Sequence, residues 1–256
     1  MPVQTGSLRI VGLGPGAPRW TTPEASAALA AATDIVGYAP YVARLAARPG
    51  QRLHASDNRV ELERARLALH LAQEGAHVAV VSGGDPGVFA MAAAVFEAID
   101  HGEPAWRDLD VEVLPGVSAM LAAAARVGAP LGHDFCAISL SDNLKPWAII
   151  EKRLRLAAEA DFVIALYNPA SRARPHLIRD AFALLRQRKA GATPVVLAQA
   201  VGRDDERVEI ATLADADVER IDMRMLVIVG SSETRLVPRG GRAPWVYTPR
   251  GHGGGR

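Results

Sequence analysis

The chain has 256 residues, of which 49% are hydrophobic and 22% charged, and its formal net charge at pH 7 is +1. This length suits one large domain or two modest ones, and the small net charge gives no global field to attract nucleic acid or a membrane surface. The single cysteine, Cys136, excludes an internal disulfide and fits a reducing compartment, while Cys136 and His133 together are too few ligands for a metal site. Residues 1–5 do not resemble a signal peptide, and no apolar run reaches the roughly 18 residues of a membrane span. We therefore expect a soluble, cytoplasmic protein without a metal.

A first strand is predicted at residues 8–13, followed by the loop Gly12-Leu13-Gly14-Pro15-Gly16. The loop resembles a dinucleotide-binding fingerprint, but Pro15 lacks the amide that a phosphate requires. Thr22 is the predicted N-cap of the next helix and Pro23 its first residue, so the helix begins well beyond the glycines. A pyrophosphate on that helix end therefore has no geometric support, and a P-loop sequence is absent. We expect the glycines to let another group approach the backbone closely.

Next come a strand at 34–38, which carries Tyr38 and Tyr41 into a loop, and an amphipathic helix at 60–74. The apolar stripe of this helix is formed by Leu62, Ala65, Leu69 and Ala72. Ser56 or Asp57 is the predicted helix cap.

A buried strand at 78–82 then runs into the turn Ser82-Gly83-Gly84-Asp85-Pro86. Asp85 can cap the following helix and Pro86 can occupy its first position, which by itself is compatible with a turn that has no function. After a strand at 111–114, the repeated order of strand, turn and helix predicts a largely parallel sheet. Such turns lie at the carboxyl edge of the sheet, where open α/β folds bind ligands.

A hinge is expected within residues 116–132, and a second α/β unit follows. Its predicted strands and helices are strands at 136–140, 162–167, 194–199, 208–212 and 226–230, and helices at 147–158 and 176–188. The predicted organisation is an N-terminal α/β domain at 1–118, a C-terminal α/β domain at 119–238 and a flexible tail at 239–256.

Three segments in one order resemble the signatures of the tetrapyrrole methylases, which are S-adenosylmethionine-dependent enzymes of corrin and sirohaem synthesis. They are the loop at 12–16, the turn at 82–86 and Leu114-Pro115-Gly116-Val117-Ser118-Ala119, and the resemblance extends over about residues 7–234. The resemblance implies two α/β domains with mainly parallel sheets, a cofactor in the cleft between them, and a homodimer.

Three further segments are similar to the branch of this family that methylates C17 of precorrin-3B and contracts its ring. They are Ser139 to Trp147, Ile150 to Leu154 and Ala165 to Ser171. The uroporphyrinogen III methylases carry an aspartate after the tyrosine that corresponds to Tyr38, whereas Ala39 stands here, which argues against methylation at their carbons.

The resemblance implies contacts to S-adenosylmethionine, and to S-adenosylhomocysteine as product, from turns of both domains. These residues are Pro15, Gly83, Gly84, Asp85, Val88, Phe89, Ser118, Ala119, Tyr167, Asn168, Ala200 and Val201. Asp85 can accept hydrogen bonds from ribose hydroxyls or act only as a helix cap.

Ring contraction also requires a base for a tertiary alcohol and stabilisation of charge on the macrocycle. The candidate residues lie in loops expected to face the cleft and are Tyr38, Asp57, Asp142, Asn143, Lys145 and Asn168. For Asp142 and Asn143 the alternative is a turn with side-chain-to-backbone bonds, and for Lys145 a solvated charge.

A precorrin carries many carboxylates, which basic residues at the cleft rim would bind. The candidates are Lys152, Arg153, Arg155, Arg172 and Arg174, with a solvated helix face as the alternative for the first three. Trp147 and Phe89 can lie against a macrocycle or belong to the core.

The expected activity is therefore methylation of C17 of precorrin-3B. The alternatives are a sister methylase acting at C11 or C20, a methylase of RNA or protein, and a non-catalytic nucleotide-binding module.

Overall fold

The computed structural model describes residues 6–58, 60–170, 174–251 and 253. The chain divides into two compact units, with the boundary between Ala119 and Met120. The sequence predicts the boundary after residue 118.

The first unit is built on a five-stranded sheet. Its strands, among the described residues, are β1 (Ser7–Gly12), β2 (Asp34–Tyr38), β3 (Arg52–Ser56), β4 (His77–Ser82) and β5 (Asp110–Leu114). Its helices are α1 (Pro23–Ala31), α2 (Ala39–Val42), α3 (Glu61–Gln73) and α4 (Met91–His101), and α5 (Ala119–Val127) begins at its last residue. The strand order is β3-β2-β4-β1-β5 and every neighbouring pair is parallel, so all five carboxyl ends lie at one edge.

The central strands of this sheet, β1, β2 and β4, are largely buried, and helices cover both faces of β4. Val78 and Val80 of β4 join a core with α3 and α4, whereas Ala79 and Val81 join a second core with α1. Continuous apolar runs are typical of parallel strands that are buried on both sides. The predicted start of α1 is confirmed, since the hydroxyl of Thr22 accepts a hydrogen bond from the amide of Ala25 at 3.1 Å.

The second unit contains a five-stranded sheet and a smaller three-stranded one. Its strands are β6 (Gly128–Ala129), β7 (Phe135–Ser139), β8 (Val163–Tyr167), β9 (Pro194–Gln199), β10 (Arg207–Thr212), β11 (Met225–Val229), β12 (Arg235–Arg239) and β13 (Arg242–Tyr247). The longer helices are α6 (Trp147–Glu159) and α7 (His176–Arg186), which pack Ile150, Leu154 and Phe182 against the larger sheet. Across the described ranges, no helix combines the length and apolar character needed to cross a membrane.

The larger sheet of this unit is mixed, with the order β10-β9-β11-β8-β7. Strands β7, β8 and β9 run in one direction, while β10 and β11 run in the other. The sequence predicts mainly parallel sheets, and the difference arises from short connections. Residues 200–206 between β9 and β10 are too few for the helical crossover that a parallel neighbour needs.

The predicted flexible tail does not hold for residues 242–247. Strands β12 and β13 form a hairpin, and β13 also pairs with β6. Val246 is 1% exposed, and the hydroxyl of Thr248 donates to the carbonyl of Pro130 at 2.6 Å. The glycine- and arginine-rich composition suggests a mobile segment, but the burial of Val246 against a distant part of the chain orders it. Residues 252 and 254–256 lie outside the described residues.

Candidate functional site

The loops after β1, β4 and β5 meet at the carboxyl edge of the first sheet. Gly14 and Gly84 exchange two backbone hydrogen bonds, of 3.1 and 2.9 Å. The amide of Gly116 donates to Oδ2 of Asp85 at 3.0 Å. The three loops are therefore joined into one structure at the edge where open α/β sheets bind ligands.

Glycine is required in these loops because their backbones touch. A Cβ atom on Gly116 would lie 2.3 Å from the carbonyl oxygen of Gly84, and one on Gly12 would lie 2.7 Å from the amide nitrogen of Gly116. Both separations are far shorter than van der Waals contact, and backbone atoms cannot rotate away as a side chain can. The sequence predicts that another group approaches the first glycine loop closely, and in the structure this group is the backbone of the loops after β4 and β5.

Asp85 is not a helix cap, and Pro86 is not a first helical residue. Helix α4 begins only at Met91. Phe89 has a φ of 54°, in the left-handed region, which breaks a helix before it starts. The carboxylate of Asp85 instead accepts from the amide of Gly87 at 2.8 Å and from the third loop. Asp85 therefore braces the turn from within.

Tyr38 and Tyr41 cover the central turn. A Cβ on Gly83 would lie 2.8 Å from Cε1 of Tyr41, so the ring of Tyr41 rests on the glycine. The rings of Tyr38 and Tyr41 meet edge to face with their centroids 5.4 Å apart. Because β2 is the neighbour of β4, this contact brings Tyr38 beside the turn that contains Gly83.

The other predicted cofactor residues of the first unit lie on the same three loops. Pro15 stands between the glycines of the first loop, and Val88 and Phe89 follow the central turn. Phe89 is 51% exposed, and its left-handed backbone is unusual for a bulky residue. Ser118, which is buried, and Ala119 end the third loop.

In the second unit, β7 and β8 are adjacent and parallel, which brings their carboxyl ends together. The side-chain amide of Asn168 donates to Oγ of Ser139 at 2.9 Å, and the amide of Leu140 donates to the carbonyl of Tyr167 at 2.9 Å. The hydroxyl of Tyr167 accepts from the amide of Met120 at 3.1 Å. Tyr167 and Asn168 are therefore fixed in place by their neighbours.

Ala200 and Val201 follow β9, whose carboxyl end lies at the same edge as those of β7 and β8. Strand β11 separates β9 from β8, so this segment stands one strand away from Tyr167 and Asn168. Val201 is 7% exposed and belongs to the packed interior.

Four non-glycine residues of the described chain have a left-handed backbone. They are Phe89 (φ 54°), Asp161 (φ 57°), Asn168 (φ 51°) and Ala200 (φ 49°). Such conformations cost about 1–3 kcal/mol and concentrate at functional sites. Three of the four stand at predicted cofactor positions, whereas Asp161 lies at the opposite end of β8 and bonds Lys189 and Ser232.

The loop after β7 carries three of the candidate catalytic residues. Oδ1 of Asp142 lies 2.8 Å from Nη1 of Arg174, and both side chains are about three-quarters buried, so this carboxylate already has a cationic partner. Asn143 is exposed. Burial lowers the pKa of Lys145, and the positive charge of Arg153 adds to the effect.

Neither Ser56 nor Asp57 caps α3. The N-cap is Val60, which makes no side-chain capping bond. Nε of Arg64 donates to Oγ of Ser56 at 2.9 Å, and Nη2 of Arg64 donates to the carbonyl of Asp57 at 2.7 Å. The hydroxyl of Ser56 and the carbonyl of Asp57 therefore bind the side chain of Arg64 and do not cap the helix.

Arg64 is a residue of this site that the sequence pattern did not reveal. It is 5% exposed and lies on the buried face of α3. Leu62, which the pattern assigns to the apolar stripe, is 42% exposed. A signal was available, since Arg64 precedes Ala68 by four residues and so shares the helix face of Ala68 and Ala72.

The candidate basic residues are only partly described. Lys152 and Arg153 are exposed on α6, and Arg155 is partly exposed on the same helix. Arg172 lies outside the described residues. Trp147 is partly buried and packs against the core of the second unit, which agrees with the alternative that it belongs to the core.

Glycine loops joined at the carboxyl edge of a parallel sheet are compatible with many ligand-binding α/β proteins, and similarity to known sequences places this chain among the methyltransferases. The family model described as Tetrapyrrole (Corrin/Porphyrin) Methylases matches residues 7–217. The chain belongs to this family, as the sequence resemblance predicts.

Similarity to particular members extends over nearly the whole chain. A precorrin-3B C(17)-methyltransferase of Sinorhizobium sp is 58% identical over 250 residues, which are 98% of each chain. A probable cobalt-factor III C(17)-methyltransferase of Salmonella typhimurium is 44% identical over 246 residues, covering 96% of this chain and 99% of the relative. The crystal structure of the methyltransferase CobJ is 54% identical and superposes with a TM-score of 0.91, covering 95% of this chain and all of that one.

Proposed function

We propose that the protein transfers a methyl group from S-adenosylmethionine to C17 of precorrin-3B and contracts the macrocycle. The observation that carries the proposal is the 58% identity, over 98% of both chains, to a precorrin-3B C(17)-methyltransferase. The agreement of the fold with the methyltransferase CobJ, with a TM-score of 0.91 over 95% of this chain, supports it.

The cofactor is proposed to bind at the strand ends described above. Its sulfonium supplies an already activated methyl group, so the protein chiefly has to align that methyl with the carbon acceptor. Alignment of this kind can lower a barrier by roughly 7–11 kcal/mol. In the first unit the braced loops at Gly84 and Asp85 and the strained backbone at Phe89 support strand ends whose shape is set in advance, and in the second unit the strained backbones at Asn168 and Ala200 do the same.

For ring contraction, the proposed bases are Tyr38, Asp57 and Lys145. Burial lowers the pKa of Lys145, which brings its amine closer to the range in which a base works at neutral pH. Asp142 is a weaker candidate because Arg174 already holds its carboxylate at 2.8 Å. We assign Asp142 the task of orienting Arg174 towards a substrate carboxylate.

A second candidate substrate is cobalt-factor III, because a relative whose name specifies it is 44% identical over 96% of this chain. The further alternative is methylation at C11 or C20, which would make the protein a sister methylase of the same family.

The test is the product formed by the purified protein from methyl-labelled S-adenosylmethionine. Precorrin-3B, cobalt-factor III and the substrates of C11 and C20 methylases are each offered, and mass spectrometry and NMR locate the new methyl group. We expect one labelled methyl at C17 and a contracted ring with precorrin-3B. A methyl at another carbon overturns the C17 assignment. Calorimetric binding of a nucleotide but not of S-adenosylhomocysteine would instead indicate a nucleotide-binding module.

We also propose a homodimer in the cytoplasm, as the family resemblance implies. The one cysteine, Cys136, is a free thiol, which suits a reducing compartment. Sedimentation velocity should give a species of twice the 27.1 kDa chain mass. A monomer at micromolar concentration would contradict the dimer.

A further inference from the structure

Arg64 is a buried cation whose hydrogen-bond partners, within the described part of the chain, are all neutral. Its Nε donates to Oγ of Ser56 at 2.9 Å, its Nη2 to the carbonyl of Asp57 at 2.7 Å, and its Nη1 to Sδ of Met91 at 3.3 Å. A guanidinium has five N–H donors and a thioether is a weak acceptor, so these three bonds satisfy it only in part.

The charge of Arg64 has no ion-pair partner among the described residues, although 95% of the residue is buried. Burial lowers its pKa, and Glu61, Tyr38 and Tyr41 act in the opposite direction without forming an ion pair with it. A buried charge without a counter-ion is a poor source of stability. A role in stabilising the fold therefore does not account for an arginine here.

The three acceptors of Arg64 belong to different elements at the carboxyl edge of the sheet. Ser56 ends β3, Asp57 follows it, and Met91 is the first residue of α4, beyond the central turn. One planar side chain thus ties the segment after β3 to the start of α4. Asp57 is exposed, while its backbone carbonyl accepts the hydrogen bond from Arg64.

We propose that Arg64 is a positioning residue, which fixes the segment Ser56–Asp57 against α4 and thereby sets where Asp57 and the neighbouring Tyr38 stand towards the substrate. The inference rests on the proposed methyl transfer, in which alignment supplies most of the rate. The positioning role requires the planar guanidinium, whose N–H groups point in fixed directions to two acceptors. The ammonium group of a lysine cannot hold two acceptors in this way.

The test compares the full-length wild type with Arg64→Met and Arg64→Lys. We expect kcat for the tetrapyrrole product to fall about a hundredfold in both, as a displacement of about 1 Å in an aligned site can cause. The urea midpoint of Arg64→Met should stay at or above that of the wild type, because methionine removes an uncompensated charge. The affinity for S-adenosylhomocysteine in calorimetry should be unchanged, because the hydrogen bonds of Arg64 go to Ser56, Asp57 and Met91 and not to the braced glycine loops.

Hydrogen exchange gives a readout that does not depend on turnover. The peptide that spans β3 and Asp57 should exchange faster in both variants, while the peptides of the glycine loops should not change. Arg66→Met is the matched control, since Arg66 is exposed on the same helix and should retain wild-type rates in every assay.

Full activity of Arg64→Lys would show that charge alone suffices and would overturn the positioning role. A large fall in the urea midpoint of both variants with unchanged kcat would show that Arg64 is merely structural and would also overturn it. If the wild type itself transfers no methyl group to any tetrapyrrole, the proposed function fails, and the exchange data still decide whether Arg64 holds the segment.

Discussion

Asp34 has no exposed surface, and its carboxylate is held by three neighbouring side chains. Arg52 donates two hydrogen bonds of 2.8 Å, Nε2 of His54 lies 2.7 Å from Oδ1, and the hydroxyl of Thr33 donates at 2.8 Å. Burial by itself raises the pKa of Asp34, but the bonds from Arg52, His54 and Thr33 outweigh it and lower the pKa to about 2. The residue lies at the amino end of β2, at the sheet edge opposite the candidate site.

Asp34→Asn should lower the free energy of unfolding at neutral pH by about 1–3 kcal/mol, because charge-assisted bonds are lost. Since the folded pKa is below the ordinary value of 3.8, the ionised carboxylate stabilises the fold above about pH 4. That contribution is lost as the pH falls towards 2, so wild type and variant should converge there. Urea unfolding followed by circular dichroism measures both. Asp204→Asn, at an exposed position, is the control, and a pH-independent difference would contradict the assignment.

Gly116→Ala should disrupt the candidate cofactor site. The added Cβ would meet the carbonyl of Gly84 at 2.3 Å, so the loops after β4 and β5 must separate. We expect a loss of about 1–3 kcal/mol in stability and at least tenfold weaker binding of S-adenosylhomocysteine by calorimetry. Gly240→Ala is the control, because nothing lies within 4 Å of a Cβ there. Equal affinities in the two variants would show that the loop contact is dispensable.

At the scale of elements, the strands were predictable because their apolar runs are continuous. The predicted bounds of β2 and β9 agree with the structure at every residue. The start of α4 was not predictable, because Asp85 and Pro86 have the residue types of a helix start. Only the amide of Gly116, in the loop after β5, shows that the carboxylate of Asp85 is used elsewhere.

The hairpin of β12 and β13 gives a prediction at the same scale. Val246→Ala should cost about 1–3 kcal/mol, because Val246 is 1% exposed and its removal leaves a cavity. Val237→Ala, on the same hairpin but 42% exposed, should change stability by less than about 0.5 kcal/mol. Urea unfolding distinguishes the two. Equal, small effects would mean that the hairpin does not belong to the core of the second unit.

At the scale of the whole molecule, the two units have separate cores and different sheets. The first is entirely parallel, and the second becomes mixed where its connections shorten. The formal net charge of +1 provides no global attraction for an anionic substrate. We therefore expect recognition of the proposed carboxylate-rich substrate to depend on local cations such as Arg174.

Salt should consequently weaken the binding of the substrate and leave the binding of the cofactor unchanged. Raising the salt concentration from 0.1 to 1 M shortens the screening length from about 10 to about 3 Å. We expect KM for the tetrapyrrole to rise about threefold or more over this range, and Arg174→Met to reduce the rise. The dissociation constant of zwitterionic S-adenosylhomocysteine, measured by calorimetry, should change by less than about twofold. A salt-independent KM would contradict a role for local cations.

The sequence by itself determined the α/β class, the positions of most strands along the chain and the methylase family, because apolar runs, turn residues and loop motifs are local properties of the chain. Only the tertiary structure decided that the glycines at 12, 84 and 116 serve contacts between loops, that Asp85 braces a turn, that Arg64 is buried, and that β13 pairs with β6. Each of these depends on atoms that are far apart along the chain. The local pattern can show that a residue is able to make such a contact, but the partner that it meets is chosen by the packing of the whole unit.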